Sequence, residues 1–223
     1  NNSKKIIEIG AGKSLAQNIY LSYMLEKSVE QTLIDISNML DLDLFNKANE
    51  QIAKILGVSK IPFAKSIDDL KNNYNIIYLA PMNLNQIFEK KLEFDACISS
   101  TTLEHIPKEE LKENFLLLKK IIKKEGIISA AIDYSDHYSH TDKNINNLNY
   151  LKFSSSNWKK YNSPMLFQNR LRHQDYRELF KSIGYKIFEI EGEFGKGPEF
   201  ISKEFDKNNK ETLMLWGHFL LKQ

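Results

Sequence analysis

Lys5-Ile6-Ile7-Glu8-Ile9-Gly10-Ala11-Gly12 is the stretch that decides the architecture. The apolar run from Lys5 to Ile9 reads as a strand, two glycines follow, and Leu15, Ile19, Tyr20 and Tyr23 then recur at helical spacing. Strand, glycine turn and helix in that order open a parallel α/β unit. Working outward, a second strand is expected at Thr32 to Asp35, a helical stretch at Ala48 to Leu56 and a third strand at Asn75 to Leu79. A fourth strand follows at Phe94 to Ser99, an amphipathic helix at Lys108 to Lys124 closed by Gly126, and a fifth strand at Ile127 to Ile132. Strands alternating with helices specify a parallel sheet covered on both faces.

Residues 134 to 169 then lose clear periodicity while carrying Tyr134, Tyr138, Tyr150, Phe153, Trp158, Tyr161 and Phe167. So long and aromatic a segment in a compact domain reads as a functional insertion, since a disordered spacer would be poor in aromatic residues. Order resumes with a helix at Gln174 to Ser182, stopped by Gly184, and with strands at Tyr185 to Glu191 and Thr212 to Leu221. Between those strands, Gly192 to Lys210 contains Gly195, Gly197 and Pro198 and reads as a mobile connection. The 223 residues are expected to form a single domain, 1–223, with 134–169 as a substrate-binding insertion within it.

Composition excludes several classes. Basic and acidic side chains are interleaved and nearly balanced, 31 against 29, so the concentrated positive field of a nucleic-acid binder is missing. No apolar run approaches the roughly 18 residues of a membrane helix, and a cytoplasmic protein is expected. The single cysteine, Cys97, lies in the apolar run Phe94-Asp95-Ala96-Cys97-Ile98 and reads as a buried structural thiol. The chain opens on Asn1 only a few residues before its first strand, so a preceding segment is expected.

Glycines let the first turn pass close under a ligand, and the free amides at the start of the next helix attract a carboxylate or phosphate. Asp35, at the carboxyl end of the second strand, is placed to accept both hydroxyls of an adenosine ribose. A dinucleotide fingerprint would want a third glycine where Leu15 stands, and Glu8 is no part of it. Taken together, Glu8-Ile9-Gly10-Ala11-Gly12, Asp35, and Phe94-Asp95-Ala96-Cys97-Ile98-Ser99 followed by Leu103-Glu104-His105-Ile106 resemble the first, second and fourth motifs of class I S-adenosylmethionine-dependent methyltransferases. The resemblance covers nearly the whole chain and implies a Rossmann-like α/β fold, a seven-stranded, mostly parallel sheet with its last strand antiparallel. It also implies cofactor contacts from Glu8, Gly10, Ala11, Gly12, Lys13 and Ser14, from Asp35 and Ile36, from Met82, Asn83 and Leu84 beside adenine, and from Ser99 and Ser100 near the methionine arm. S-adenosylhomocysteine would be the product.

Acceptor chemistry is expected from Asp133-Tyr134-Ser135-Asp136-His137-Tyr138-Ser139-His140, directly after the fifth strand. Histidine suits removal of a hydroxyl proton near neutrality, which makes His137 the first catalytic candidate and His105 and His140 the next. No metal is expected. The alternative is a divalent ion held by Glu104, His105, His137 and His140, although metal-using relatives carry a glutamate where Thr101 stands. Tyr134, Tyr138, Trp158, Asn169, Arg170 and Arg172 are the candidate substrate contacts, aromatic faces for sugar rings and guanidinium forks for phosphate or carboxylate. Arg172 could instead pair with Asp175. The run of Trp158, then Asn169-Arg170-Leu171-Arg172, then Asp175-Tyr176 resembles methyltransferases of bacterial surface-polysaccharide synthesis. The expected activity is O-methylation of a small polar acceptor: a sugar, a nucleotide-linked sugar or a phosphoryl group. A nicotinamide-dependent oxidoreductase and a non-catalytic binding module are the alternatives.

Overall fold

The computed structural model describes residues 4–164 and 167–223, and of residues 189–191 the backbone only. In chain order the elements are β1 (Lys4–Ile9), α1 (Ala16–Met24), β2 (Val29–Ile34), α2 (Leu42–Leu56), α3 (Ile67–Tyr74), β3 (Ile76–Leu79), α4 (Leu84–Glu89), β4 (Phe94–Ser100), α5 (Lys108–Ile121), β5 (Ile122–Asp133), α6 (Ser155–Trp158), α7 (His173–Ile183), β6 (Lys186–Phe194) and β7 (Met214–Lys222). The sheet runs in the order β3-β2-β1-β4-β5-β7-β6. By its internal contacts the chain resolves into two compact units, the residues up to Ser99 with Leu117–Ile127, and Ser100–Leu116 with Ile128–Gln223.

In the first unit β1 pairs in parallel with β2 and β4, and β2 with β3. The register sets Ile9 opposite Ile34 and Ser99, and Ile34 opposite Leu79, so all four strands finish at one edge. Leu15 and Ile19 from α1, Phe45 from α2, Leu70 and Tyr74 from α3, and Leu33, Ile76 and Tyr78 from the strands form one buried cluster. Each such side chain contributes about 1.5–3 kcal/mol by leaving water. Local chemistry starts the helices. Asp41 accepts the amides of Asp43 and Leu44 at the head of α2, and Ser66 and Asp69 cap α3 reciprocally.

The second unit is antiparallel where β5 meets β7, with Ile128 opposite Leu221 and Asp133 opposite Trp216, and again where β7 meets β6. Lys186 and Lys222 face each other across β6 and β7, and both ammonium groups lie near the ring of Phe188, at 5.7 and 5.2 Å. A separate cluster of Leu148, Tyr150, Leu151 and Trp158 lies within this unit, with Tyr138, Phe153, Ile201, Phe205, Leu213 and Leu215 packed on it.

Two readings of the sequence need correction. Gly126 does not close a helix: α5 ends at Ile121 and β5 starts at Ile122, so Gly126 lies inside the strand. A Cβ there would sit 2.5 Å from Ile122 Cγ2 and 2.8 Å from the Asp95 carbonyl, so the glycine serves close approach of backbones rather than a left-handed cap. The connection between β6 and β7 is also fastened rather than loose. Ser202 donates its amide to the Leu151 carbonyl at 2.8 Å, Asn146 donates to the Lys196 carbonyl at 3.1 Å, and Ile201 and Phe205 pack on the insertion's cluster.

Candidate active site

At the shared edge of the first unit, Gly10 (φ 77°) and Gly12 (φ 70°) turn the chain out of β1, and Leu15 (φ 50°) sets the start of α1 from the left-handed region. Leucine rarely adopts that conformation, and such strain persists only where the surroundings impose it. Leu15 is fully packed in the core. The amides of Ala11, Gly12 and Lys13 have no hydrogen-bond partner within the described residues, so the turn presents donors. Asp35 follows β2 and is half-buried. Its Oδ1 accepts the Ser37 amide at 3.1 Å, while Oδ2 has no bond among the described residues. The Met82 amide donates to the Asp35 carbonyl at 2.8 Å, which ties the segment after β3 to the end of β2.

The other donor-side candidates divide by position. Asn83 is exposed and caps α4, accepting the Gln86 amide at 3.0 Å, while Leu84 is buried in the fold and Ile36 is 80% exposed. Ser99 is buried with its Oγ donating to the Ile9 carbonyl at 3.3 Å, and Ser100 ends β4. Glu8 is not at the turn's surface. It is buried and accepts from Asn18 Nδ2 at 2.5 Å and from Gln17 Nε2, and Gln31 joins the same group by donating to Ser22 Oγ at 2.7 Å. Burial raises the Glu8 carboxyl from its ordinary 4.5 to about 7, against the lowering effect of those amides. Glu8 therefore fastens the first turn of α1 beneath the glycines. Cys97 is buried as expected, and burial pushes its thiol up.

In the second unit Asp133, the last residue of β5, sits between two imidazoles. His137 Nε2 lies 3.6 Å and His140 Nε2 3.7 Å from Asp133 Oδ2, and the Ser135 amide donates to Oδ1 at 2.7 Å. Burial opposes charge on Asp133, but His137 and Ser135 outweigh it and hold the carboxyl below its usual range. Ser135 Oγ is 2.8 Å from His140 Nε2. The His105 ring lies 4.9 Å from that of His137, which stacks on His140 at 5.0 Å. His105 Nδ1 is 2.8 Å from the Phe167 carbonyl, so it carries the proton and Nε2 keeps the lone pair. Glu104 is 2% exposed, and neither of its carboxyl oxygens has a hydrogen-bond partner among the described residues. Burial, with Asp133 nearby, raises it to about 8. The fold thus sets His137 and His140 on a carboxylate that sequence reasoning left unassigned, with the His105 ring against that of His137. The signal was the spacing of Asp133 and His137 at i and i+4 directly after a strand.

Most of the acceptor candidates have other duties. Tyr134 and Trp158 are buried, and Tyr138 donates its hydroxyl to the Tyr161 carbonyl at 2.7 Å. Asn169 Nδ2 donates to the carbonyls of Leu103 and Ile106 at 2.9 and 2.8 Å, which holds the Glu104-His105 turn. Arg170 donates to the carbonyls of Tyr150 and Phe153 at 3.2 and 2.7 Å and faces Glu204 at 3.7 Å. Arg172 donates to the Tyr134 carbonyl at 2.9 Å, to the Tyr150 hydroxyl and to the Met214 carbonyl, while its own amide binds Asp175 Oδ2 at 2.7 Å. Both guanidinium groups are buried, so they fasten the insertion's backbone instead of meeting an acceptor.

No protein-family model matches the sequence, and no curated protein sequence matches it. Solved structures do. A cyclopropane synthase from Mycobacterium tuberculosis superposes with TM-score 0.56 at 11% identity, over 99% of this chain and 78% of that one. Magnesium protoporphyrin IX methyltransferase from Synechocystis, solved with bound S-adenosylhomocysteine, gives 0.52 at 12% identity, over 100% of this chain and 75% of that one. The CurJ carbon methyltransferase gives 0.51 at 13% identity over 100% of this chain, which spans 49% of that structure's length. The architecture is therefore the Rossmann-like fold shared by class I S-adenosylmethionine-dependent methyltransferases.

Proposed function

We propose that the chain is a methyltransferase that takes its methyl group from S-adenosylmethionine. The observation that carries this reading is the common edge of four parallel strands. There the unpartnered amides of Ala11, Gly12 and Lys13, the Asp35 carboxylate and the Met82-Asn83 segment share one end of the sheet. Free amides suit the cofactor's carboxylate and the open Asp35 Oδ2 suits its ribose hydroxyls. When bound, S-adenosylmethionine supplies a methyl carbon on a positively charged sulfur. The chain has then to align an acceptor oxygen and take its proton.

Proton acceptance falls to the histidines beside Asp133, whose Oδ2 lies 3.6 Å from His137 Nε2 and 3.7 Å from His140 Nε2. The acceptor is a small polar molecule offering a hydroxyl or phosphoryl oxygen, in line with a sugar or nucleotide-linked sugar of surface-polysaccharide synthesis. That role has the sequence resemblance behind it. Calorimetry with S-adenosylhomocysteine and with NAD decides between donor classes: uptake of the first and not the second is expected, and the reverse would make the protein an oxidoreductase. Asp35→Ala should weaken S-adenosylhomocysteine by roughly 30-fold or more, about 2 kcal/mol, the worth of a hydrogen bond to a charged group. Its melting temperature should stay close to the parent's, because among the described residues the Asp35 side chain accepts only the local Ser37 amide. His137→Ala should abolish turnover while leaving donor affinity intact; unchanged turnover would remove the histidine cluster from the chemistry.

A further inference from the structure

Beside Asp133, Glu104, His105 and His137 each offer one ligand atom, and the three atoms lie within 4.8 Å of one another. Among the described residues both Glu104 oxygens are buried without a hydrogen bond, His137 Nε2 makes none and only approaches Asp133 Oδ2 at 3.6 Å, and His105, bound through Nδ1 to the Phe167 carbonyl, turns Nε2 free. Leaving a buried carboxyl with neither oxygen satisfied costs several kcal/mol, which a protein tolerates where something outside the chain completes the site. The neighbours are already arranged as supports. The Phe167 carbonyl fixes the His105 ring, and Asn169 holds the carbonyls of Leu103 and Ile106 on either side of the Glu104-His105 pair.

We infer that Glu104, His105 and His137 form a binding site for one divalent transition-metal ion, of the zinc, cobalt or manganese class. Two imidazoles and one carboxylate are a donor set for such ions, and magnesium, which prefers an all-oxygen shell, fits it poorly. Ligands about 2.1 Å from a tetrahedral ion stand roughly 3.4 Å apart, so side-chain rotations of about 1 Å close the triad. Three protein ligands leave further positions open, and an acceptor hydroxyl or phosphoryl oxygen has the chemistry to take one. The assignment deepens the methyl-transfer reading and rests on it for that last point alone. With His137 a ligand, His140, held by Ser135 and Asp133, becomes the proton acceptor.

The test is titration of the chelator-stripped full chain with zinc by calorimetry and with cobalt by visible absorption. One equivalent is expected to bind with micromolar or tighter affinity, and cobalt should develop the ligand-field bands of a nitrogen- and oxygen-bound ion. Glu104→Gln and His105→Gln, checked for folding by circular dichroism, should each weaken uptake by about 100-fold. Asp35→Ala should leave metal uptake unchanged. Absence of saturable binding, or binding that survives either ligand substitution, overturns the assignment. S-adenosylhomocysteine uptake is measured on the same metal-free sample, so a failed metal site and a failed methyl-donor site give separate results.

Discussion

Arg172→Met should lower the stability of the protein by about 4 kcal/mol and its melting temperature by roughly 8–15 °C. Arg172 is 4% exposed, and its guanidinium donates to the Tyr134 carbonyl, the Tyr150 hydroxyl and the Met214 carbonyl, between the rings of Tyr134 and Tyr150 at 5.1 and 5.7 Å. Methionine fills much of the volume but removes all three donated bonds in a dry interior, leaving the Tyr134 carbonyl with the Tyr150 hydroxyl alone at 2.6 Å, at about 1–3 kcal/mol for each bond lost, partly offset by no longer burying a charge. Marginal proteins hold only about 5–15 kcal/mol in all, so the loss is large. Urea unfolding and scanning calorimetry measure it. If Arg172 instead recognised the acceptor, stability would be unmoved and KM for the acceptor would rise.

A second large effect concerns pH. The folded chain binds a proton at Glu8 with a pKa near 7, whereas the unfolded chain binds it at about 4.5. Between those values folding takes up a proton, so stability falls as the pH rises through this window and levels above it. The full difference corresponds to roughly 3 kcal/mol. The groups facing Glu8 are the neutral amides of Gln17 and Asn18, and the Cys97 thiol, which stays protonated throughout. Glu8→Gln should flatten the stability profile between pH 5 and 8 and leave the variant more stable than the parent at pH 8. The gain stays below 3 kcal/mol because one amide of the pair must turn to find an acceptor. Denaturation at both pH values gives the slopes; equal slopes for parent and variant would place the Glu8 carboxyl in contact with water.

How far the sequence is legible follows the range of the interactions. The order of strands and helices around Glu8-Ile9-Gly10-Ala11-Gly12 is written in local periodicity, and β1, α1, β2, β3 and β4 fall where that periodicity puts them, within a few residues. The short helices α3 and α4 escape it because six or eight residues offer one apolar turn at most; their capping pairs, Ser66 with Asp69 and Asn83 with Gln86, were the available signal. The helix-to-strand passage at Ile121 and Ile122 has no connecting loop to announce it. The insertion is harder. Aromatic content says that residues 134–169 contain large side chains, but without a period nothing local tells a ring facing a ligand from one facing Leu151 or Phe205. Arg170 and Arg172 share that ambiguity, because a fork that matches a phosphate also matches paired carbonyls. His105, His137 and His140 were legible from their places after the fourth and fifth strands, whereas the part played by Asp133 needed the turn geometry that carries Ser135 back onto its carboxylate.

The two outer strands of the sheet are built so that another chain has little to add to. At one side β3 is four residues long, too short to template a lasting ladder. At the other, β6 begins with Lys186 opposite Lys222, a pair of like charges beside the half-exposed Phe188. An incoming strand would have to strip water from both ammonium groups before gaining a hydrogen bond, a kinetic guard against polymerisation at the place where a flat apolar ring would otherwise invite it.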